Sequence, residues 1–256
     1  MLGLAYPGVA DWILQKWEHE REAKLAAATY LPWPQPFKKE LFISAESYKP
    51  GLVLWDTPAV SRYQYGKPPN MGVLSPHGQY SYTHLVLPKG KSLVTMLGTR
   101  RGSVVFDVDI TFPALFGCSG LQGPVAQQPW MSLTPMELFT LAPGIKLAKG
   151  HVVIAGLGLG YQLLEVAKKP SVTRITLVER SQELVDWILP RIQAQMPNKP
   201  LEVIVDNAYG TIEGLTADVA LIDIYRQYRG NTFSLPLASK TRIPKVWVWG
   251  GHVTYT

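Results

Sequence analysis

The segment from His151 to Lys169, HVVIAGLGLGYQLLEVAKK, constrains the fold of this chain more than any other. Glycine stands at alternate positions, Gly156, Gly158 and Gly160, directly after an apolar run and directly before residues with helical spacing. Glycine weakens the interior of strands and of helices, so these three residues are expected in the turn between a strand and a helix. A ligand can pack directly against backbone that carries no side chains. The segment therefore predicts a strand–turn–helix unit that borders a binding site.

The spacing of the glycines excludes two common nucleotide-binding motifs. The dinucleotide motif G-x-G-x-x-G needs its third glycine at position 161, where this chain has Tyr161. A P-loop needs Gly-Lys followed by Ser or Thr, and the turn contains no lysine. The pattern G-x-G-x-G matches neither motif.

Strand-like and helix-like segments alternate from Trp130 onward. Near-continuous apolar strands separated by helices indicate a parallel sheet that is covered on both faces. We therefore predict an α/β fold, in which residues 130–256 form a Rossmann-like, mostly parallel sheet with helices on both faces. The expected strands are HVVIAG, RITLVE, LEVIVD, DVALIDI and KVWVWG, and the expected helices are YQLLEVAKK and SQELVDWILPRIQAQM.

The preceding residues show two other patterns. Ala10 to Tyr30 is rich in helix formers and is followed by the prolines of LPWPQPF, so residues 1–40 are expected to form an N-terminal helix and a Pro-rich linker. Residues 41–129 contain short β-type runs separated by Gly, Pro and Asn, which predicts a small antiparallel β domain. The glycine-rich span from Gly117 to Pro129 is expected to link this domain to the α/β unit.

Polar residues follow the expected parallel strands at the points where the strands end. Glu179 ends the second strand, 19 residues after Gly160, which is the spacing of a carboxylate that accepts hydrogen bonds from ribose hydroxyls. Asp206 and Asn207 end the third strand, where a polar side chain can hydrogen-bond an adenine amino group. Asp223 ends the fourth strand, where it can act as a base, orient an acceptor or cap a loop.

These segments resemble the class I S-adenosylmethionine-dependent methyltransferase superfamily, and within it the branch that includes the spermidine synthases. The likeness covers roughly Met131 to Tyr225, through the segments MSLTPMELFTLAPGIKLAKG, VVIAGLGLGYQLLEVAKK, ITLVERSQELVDW, VIVDNAYG and DVALIDIY. The resemblance implies S-adenosylmethionine as cofactor and methyl transfer to an unidentified, small-molecule or other acceptor. In this family the glycines pass close to the methionine and ribose parts, the carboxylate after the second strand holds the ribose, and the polar residues after the third strand face the adenine. The cofactor-binding residues that we predict are Gly156, Leu157, Gly158, Gly160, Glu179, Arg180, Asp206, Asn207 and Ala208, and the predicted catalytic residue is Asp223.

Two alternatives to methyl transfer remain open. The spermidine synthase branch carries two acids after the fourth strand, whereas DIYRQY keeps only Asp223, and holding a polyamine calls for several carboxylates. Aminopropyl transfer is the first alternative. A non-catalytic protein that binds S-adenosylmethionine or a nucleoside is the second, because the sequence contains few catalytic groups and its last segment leaves little room for the final hairpin of the family's fold.

Other residues have a structural interpretation beside a functional one. Thr134 and Glu137 fit the start of a helix, as N-cap and third helical residue, although a cap there can also close over a ligand. Tyr225 and Arg226 either line the acceptor pocket or lie on a surface loop. His77 and His84 lack nearby carboxylate or cysteine partners, so no metal site is predicted. Ser181 can cap the helix that follows Glu179. Trp247 and Trp249 alternate with valine and are expected to be buried in the sheet.

Composition limits the classes of partner and compartment. The net charge of +6 is spread evenly, with 12 Lys and Arg against 9 Asp and Glu in residues 1–130 and 13 against 10 in residues 131–256. Nucleic acid as a partner therefore has no specific support. The one cysteine, Cys118, excludes an internal disulfide and a cysteine-based zinc site. Since the sequence has no basic leader and no long apolar run, we expect a cytoplasmic protein without a membrane segment.

Overall fold

A five-stranded, entirely parallel sheet organises the C-terminal half of the molecule. The computed structural model describes residues 7–57, 59–61, 72–118, 129–225, 228 and 235–251, and the statements below concern these residues. The sheet contains β9 (Gly150–Ala155), β10 (Val172–Glu179), β11 (Leu201–Val205), β12 (Val219–Ile222) and β13 (Val246–Val248). The strand order is β11-β10-β9-β12-β13, and each neighbouring pair is parallel. The prediction of a Rossmann-like parallel sheet is confirmed.

Helices cover both faces of this sheet because successive residues of each strand point to opposite faces. Val152 and Ile154 of β9 belong to one hydrophobic cluster, and Val153 and Ala155 belong to another. The first cluster includes residues of α2 (Pro135–Leu147), α3 (Tyr161–Ala167) and α4 (Gln182–Gln193). The second includes residues of α5 (Ala208–Thr211), the 3-10 turn Ile212–Gly214 and α6 (Leu235–Lys240).

The N-terminal part consists of a helix and two mixed sheets. Helix α1 spans Pro7–Ala26, and the strands are β1 (Glu40–Ile43), β2 (Ala59–Ser61), β3 (Val73–Leu74), β4 (Tyr80–Leu87), β5 (Leu93–Leu97), β6 (Arg100–Phe106), β7 (Ile110–Gly117) and β8 (Met131–Ser132), with a 3-10 turn at Ala45–Ser47. One sheet has the order β1-β6-β5 and the other the order β2-β4-β7-β8, with β3 also paired to β4. The pairs β5–β6, β3–β4 and β4–β7 are antiparallel, as expected of an antiparallel β domain, whereas β1–β6 and β2–β4 are parallel.

The two parts are joined by pairing and by a shared core. Strand β8 follows the expected linker, yet it pairs antiparallel with β7. One hydrophobic cluster contains Phe106 and Leu115 of the β part together with Ile154 and Leu163 of the α/β part. Of the linker predicted at 117–129, residues 119–128 lie outside the described part of the chain. No helix among the described residues combines the length and the apolar character needed to cross a membrane.

Candidate functional site

A cavity of about 210 Å³ opens at the carboxyl edge of the parallel sheet. Strand order reverses between β9 and β12, since the chain leaves β9 toward β10 on one side and returns to β12 on the other. Ligands of open α/β sheets bind outside the carboxyl ends of the strands at such a point. The cavity is lined there by Gly156, Glu179, Asp206 and Asp223, which follow or end four different strands. The structure therefore brings together the strand-end residues that the sequence singled out.

The glycine turn connects β9 to α3, and it requires glycine because of its backbone angles and its close contacts with other parts of the protein. Gly156 has φ +95°, and a Cβ there would collide with the backbone carbonyl of Asp223. Gly158 has φ +52°, and a Cβ there would collide with the Met131 thioether. Residues other than glycine rarely adopt such positive φ angles. The turn therefore fits against the end of β12 and against Met131, while Gly156, Leu157 and Gly158 still line the cavity.

Most backbone N–H groups of the turn already have acceptors within the protein. The pairs are Gly156 N to Val178 O at 2.9 Å, Leu157 N to Glu179 Oε2 at 2.7 Å, Leu159 N to Met131 Sδ at 3.2 Å and Gly160 N to Leu157 O at 2.8 Å. A phosphate-binding loop instead presents open N–H groups to its anion. The turn therefore offers a ligand a packing surface of bare backbone more than a cradle for a diphosphate.

Glu179 lies at the end of β10 with its carboxylate held on both oxygens. Oε2 accepts from the N–H of Leu157, and Oε1 accepts from the N–H of Ser181 at 2.8 Å. Each carboxylate oxygen has two lone pairs, so each can accept one more hydrogen bond. Glu179 is half-buried and lines the cavity. It is thus fixed in position and can accept from two neighbouring hydroxyls of a ligand.

Asp206, Asn207 and Ala208 form the turn after β11, at the far end of the cavity. Asp206 accepts from the Asn207 N–H and from the Thr211 hydroxyl, both at 2.7 Å, and these hydrogen bonds lower the pKa of Asp206. Asn207 Oδ1 caps α5 by accepting from the Tyr209 N–H at 3.1 Å. Both acceptor side chains thus also shape the turn. Ala208 is buried and small, and it leaves space at this end of the cavity.

Two carboxyl groups face the middle of the cavity, although the sequence predicted only one. Asp223 follows β12, and burial raises its pKa to about 7. Glu137 of α2 is 9% exposed, and burial together with the nearby Asp223 raises the pKa of Glu137 well above its ordinary value. Glu137 holds the third position of α2, after Thr134 at the N-cap and Pro135. The predicted helix start is therefore correct, but the Thr134 side chain makes no capping hydrogen bond and Glu137 turns into the cavity.

Among the remaining predicted residues, Gly160 does not line the cavity: it has φ +80°, and a Cβ there would collide with the Ile192 side chain. Arg180 is exposed and Tyr225 is half-buried, and both line the cavity. The Tyr225 hydroxyl is 2.9 Å from the hydroxyl of Tyr209 across the opening. Arg226 lies outside the described residues. Ser181 caps α4 by accepting from the Leu184 N–H at 3.2 Å, as expected of a helix cap. Glu179, two residues earlier, still lines the cavity.

Several lining residues were not singled out from the sequence as cavity residues. Gln162, in the first turn of α3, is 5% exposed and lines the cavity near Gly158. Trp249 was expected in buried sheet and is buried, but it also lines the cavity, with its indole N–H 2.9 Å from the Thr140 hydroxyl. Aromatic residues from the β part, Tyr80 and Trp130, complete the wall with Met131. No local sequence pattern predicts these residues, because the cavity is formed by elements that are far apart in sequence.

The described residues contain no group of three or more His, Cys, Asp or Glu side chains arranged for a metal ion. His84 contacts the Tyr82 hydroxyl at 3.1 Å and the Thr57 carbonyl at 3.2 Å. The backbone N–H of His77 donates to Glu183 at 2.9 Å. Both residues thus have structural roles in the β part.

Comparison with known proteins found similarity among solved structures. No protein-family model matches the sequence. No curated protein matches it either. A dimethyladenosine transferase from Plasmodium falciparum is 17% identical with a TM-score of 0.35, over 44% of this chain and 40% of that one. An O-methyltransferase from Bacillus cereus, in complex with SAH, is 15% identical with a TM-score of 0.33, over 44% and 56%.

A shikimate dehydrogenase from Mycobacterium tuberculosis is 16% identical with a TM-score of 0.30, over 42% of this chain and 40% of that one. This chain thus spans about half the length of these solved proteins. Their names include two kinds of transferase and a dehydrogenase, and the TM-scores are low. We therefore draw no conclusion about the activity of this chain from them, and the fold described above rests on its own strand order.

Proposed function

We propose that this protein is an S-adenosylmethionine-dependent methyltransferase. The observation that carries the proposal is the convergence, in one cavity, of a bare glycine turn with polar residues from the ends of three neighbouring strands. A nucleoside with a short tail fits this arrangement, because its ribose needs adjacent acceptors and its tail needs uncluttered backbone. The engaged N–H groups of the turn favour such a ligand over a dinucleotide with its diphosphate.

Each part of the cofactor would have its own set of contacts along the cavity. Glu179 would accept from the two ribose hydroxyls, since one lone pair remains on each of its oxygens. The turn with Asp206, Asn207 and Ala208 would border the adenine. Gly156, Leu157 and Gly158 would pack against the ribose and the start of the methionine tail, and Arg180 would lie at the rim. Among these contacts, the one at Glu179 contributes most to affinity, because its carboxylate is fixed before the ligand arrives.

In this reaction the protein would orient the reactants, exclude water and supply one base. When bound, the cofactor supplies a methyl group on a sulfonium, which leaves as a thioether when the acceptor's lone pair forms the new bond. Asp223 would accept the proton that the acceptor releases, since its pKa of about 7 leaves a large ionised fraction at neutral pH. Trp130, Tyr80 and Trp249 would exclude water from the reacting atoms.

Calorimetric titration with S-adenosylhomocysteine, S-adenosylmethionine and NAD tests the proposal. We expect micromolar binding of the two adenosyl compounds and much weaker binding of NAD. Glu179→Gln should weaken binding at least about tenfold, because the amide replaces one acceptor oxygen by a donor. Glu202→Gln is the matched control, since Glu202 lies on the neighbouring strand β11, is exposed and accepts from Thr176 outside the cavity.

Two results would overturn the proposal. Tighter binding of NAD than of S-adenosylhomocysteine would indicate a dinucleotide enzyme. Equal loss of binding in Glu179→Gln and Glu202→Gln would show that Glu179 does not contact the ligand. Because Glu179 also holds Leu157 and Ser181, the titrations should be made well below the melting temperature of each variant.

Aminopropyl transfer is the second candidate, and the position of Glu137 favours it. The sequence offered a single acid for an amine, whereas the cavity contains both Glu137 and Asp223. The reaction product separates the two candidates. Methyl transfer releases S-adenosylhomocysteine, and aminopropyl transfer from decarboxylated S-adenosylmethionine releases methylthioadenosine. Incubation of each donor with a mixture of primary amines, followed by mass spectrometry of the nucleoside product, identifies which reaction occurs.

A further inference from the structure

A buried amide without a hydrogen-bond partner among the described residues lines the cavity. Neither Nε2 nor Oε1 of Gln162 has a hydrogen-bond partner among the described residues. Buried polar groups are almost always paired, and an unpaired one costs stability. Five described residues contain such buried, unpaired side-chain atoms, namely Thr57, Ser81, Thr95, Gln162 and Glu183. Gln162 is the one that lines the cavity.

Two carboxyl groups line the same cavity and lie close enough to interact electrostatically. Glu137 and Asp223 line the cavity with Gln162, and no hydrogen bond of the Glu137 carboxyl group is seen within the described part of the chain. Burial and the nearby Asp223 raise the pKa of Glu137 well above its ordinary value, which favours the protonated carboxyl group, and a protonated carboxyl group can donate. Asp223 can accept. The cavity thus presents the Gln162 amide N–H and, when it is protonated, the Glu137 O–H as donors, beside the Gln162 carbonyl and Asp223 as acceptors.

An α-amino acid group matches this mixture of donors and acceptors. A carboxylate needs only donors and an ammonium needs only acceptors, whereas an α-amino acid contains both within a few ångströms. The apolar surroundings, with Met131 and Leu115 in the same wall, strengthen any hydrogen bond that such a group forms here. Gln162 lies in the first turn of α3, which follows β9, whereas Asn207 follows β11, and β10 with Glu179 at its end lies between these two strands. If Glu179 holds the ribose, the tail of an adenosyl ligand would therefore extend toward Gln162 and its adenine toward Asn207.

We infer that Gln162 is a specificity-determining residue, which together with Glu137 recognises the amino-acid end of the donor and selects donors that carry it. This inference rests on the proposed function. The Gln162 amide donates to the carboxylate of the amino acid and accepts from its ammonium group. The neutral Glu137 carboxyl donates a second hydrogen bond to the carboxylate, and Asp223 accepts from the ammonium group until the acceptor binds.

The test compares two ligands that differ only at this end. S-adenosylhomocysteine carries the amino acid, and 5′-methylthioadenosine replaces that end of the tail with a methyl group. The wild-type protein should bind S-adenosylhomocysteine at least about tenfold more tightly than methylthioadenosine. Gln162→Met keeps the length of the side chain and removes its amide. It should weaken S-adenosylhomocysteine binding at least about tenfold and change methylthioadenosine binding less than about twofold.

A stability measurement separates recognition from a structural role. Since the amide is unpaired without ligand, Gln162→Met should leave the urea midpoint of the free protein unchanged or raise it. Gln193→Met, on the exposed surface of α4, is the matched control and should change neither affinity. A lowered midpoint with equal loss of both ligands would assign Gln162 a structural role and overturn the inference.

The remaining outcomes also decide between the two proposals. Equal affinity of the wild-type protein for both ligands would overturn the inference and leave the adenosyl-binding proposal intact. Failure of both ligands to bind the wild-type protein would overturn the proposed function and the inference with it. Glu137→Gln keeps a donor at this position, so it should retain the preference for S-adenosylhomocysteine, whereas Glu137→Leu should reduce it.

Discussion

Position 158 illustrates how one residue of the glycine turn serves both the fold and the cavity. A Cβ on Gly158 would meet the Met131 thioether, and the positive φ angle adds strain. We expect Gly158→Ala to lower the free energy of unfolding by about 2–4 kcal/mol, which combines backbone strain of about 1–2 kcal/mol with overpacking. Gly210→Ala is the control, because Gly210 has φ +86° with no atom near its missing Cβ, so it should show the strain alone.

A double-mutant cycle tests the role of Met131. Met131→Ala removes the thioether that blocks the Cβ, so the combined variant should lose less stability than the sum of the two single variants, by about 1 kcal/mol or more. Urea denaturation of the four proteins gives this coupling. Additive losses would show that Met131 is not what restricts position 158.

The protonation of Asp223 makes a second prediction at the residue scale. Its pKa is about 7 in the folded protein, against an ordinary value of 3.8, so the folded state binds more protons than the unfolded state between these values. This contribution to stability is therefore complete below pH 3.8 and is lost as the pH rises through 7. One pKa unit corresponds to about 1.4 kcal/mol, so up to about 4 kcal/mol depends on this group.

Asp223→Asn removes that dependence. Relative to the wild-type protein, the variant should gain stability by about 2–3 kcal/mol between pH 5.0 and pH 8.5, since the stability of the wild type falls by about 1.4 kcal/mol per unit between pH 5 and the folded pKa of about 7 and changes little above it. Urea denaturation at both pH values measures the difference. Asp206→Asn is the control. The pKa of Asp206 is lowered from 3.8, so its carboxyl group is ionised in the folded and in the unfolded protein throughout this pH range. A constant difference between wild type and Asp223→Asn would contradict the raised pKa.

At the scale of single elements, the start of α4 links helix formation to the ligand site. The Ser181 hydroxyl accepts from the Leu184 N–H, and the Ser181 N–H donates to Glu179. Ser181→Ala removes the cap and keeps the N–H, so we expect a loss of about 1 kcal/mol in stability with little change in ligand affinity. Thermal unfolding and calorimetry measure the two effects. Ser171→Ala, at an exposed position outside the helix, should leave stability unchanged, and a large loss of affinity in Ser181→Ala would show that the cap also positions Glu179.

The elements of the parallel sheet could be predicted from the sequence because each strand is a short apolar run that is buried on both faces. VVIA of β9 contributes alternately to both hydrophobic clusters, as expected of a strand that is covered on both faces. The parallel pairings β1–β6 and β2–β4 could not be predicted, because short runs between turns fit hairpins equally well and partner choice depends on long-range packing.

The site residues divide in the same way. Glu179, Asp206 and Asp223 could be predicted because strand ends of a parallel sheet share one edge, which turns sequence position into spatial position. Gln162 and Glu137 could not, since each lies in the first turn of a helix, where a polar residue normally faces solvent or caps the helix. Both are buried beside a cavity that residues distant in sequence, such as Tyr80 and Trp130 of the β part, also line.

At the scale of the whole molecule, the β part and the α/β part share contacts that should make them unfold together. The Tyr48 hydroxyl donates to the Leu133 carbonyl at 3.0 Å. Trp55 and Trp187 pack with ring centroids 4.6 Å apart, and the Arg191 guanidinium lies 4.3 Å from the Trp55 ring. With the shared hydrophobic cluster, these contacts leave neither part with a complete core of its own. Parts that share one hydrophobic core are expected to unfold in one cooperative transition.

We therefore expect a single urea transition, with coincident midpoints for tryptophan fluorescence and far-ultraviolet circular dichroism. Trp55→Ala should shift both midpoints together, by about 1–3 kcal/mol, because it removes the ring that packs against Trp187 and Arg191. Trp12→Ala is the matched control, since Trp12 is 60% exposed on α1 and should change stability by less than about 0.5 kcal/mol. Saturation with S-adenosylhomocysteine should raise both midpoints equally, because Tyr80 and Trp130 place the β part in the wall of the cavity. Two separate transitions, with the ligand stabilising only one of them, would mean that the α/β part folds and binds by itself.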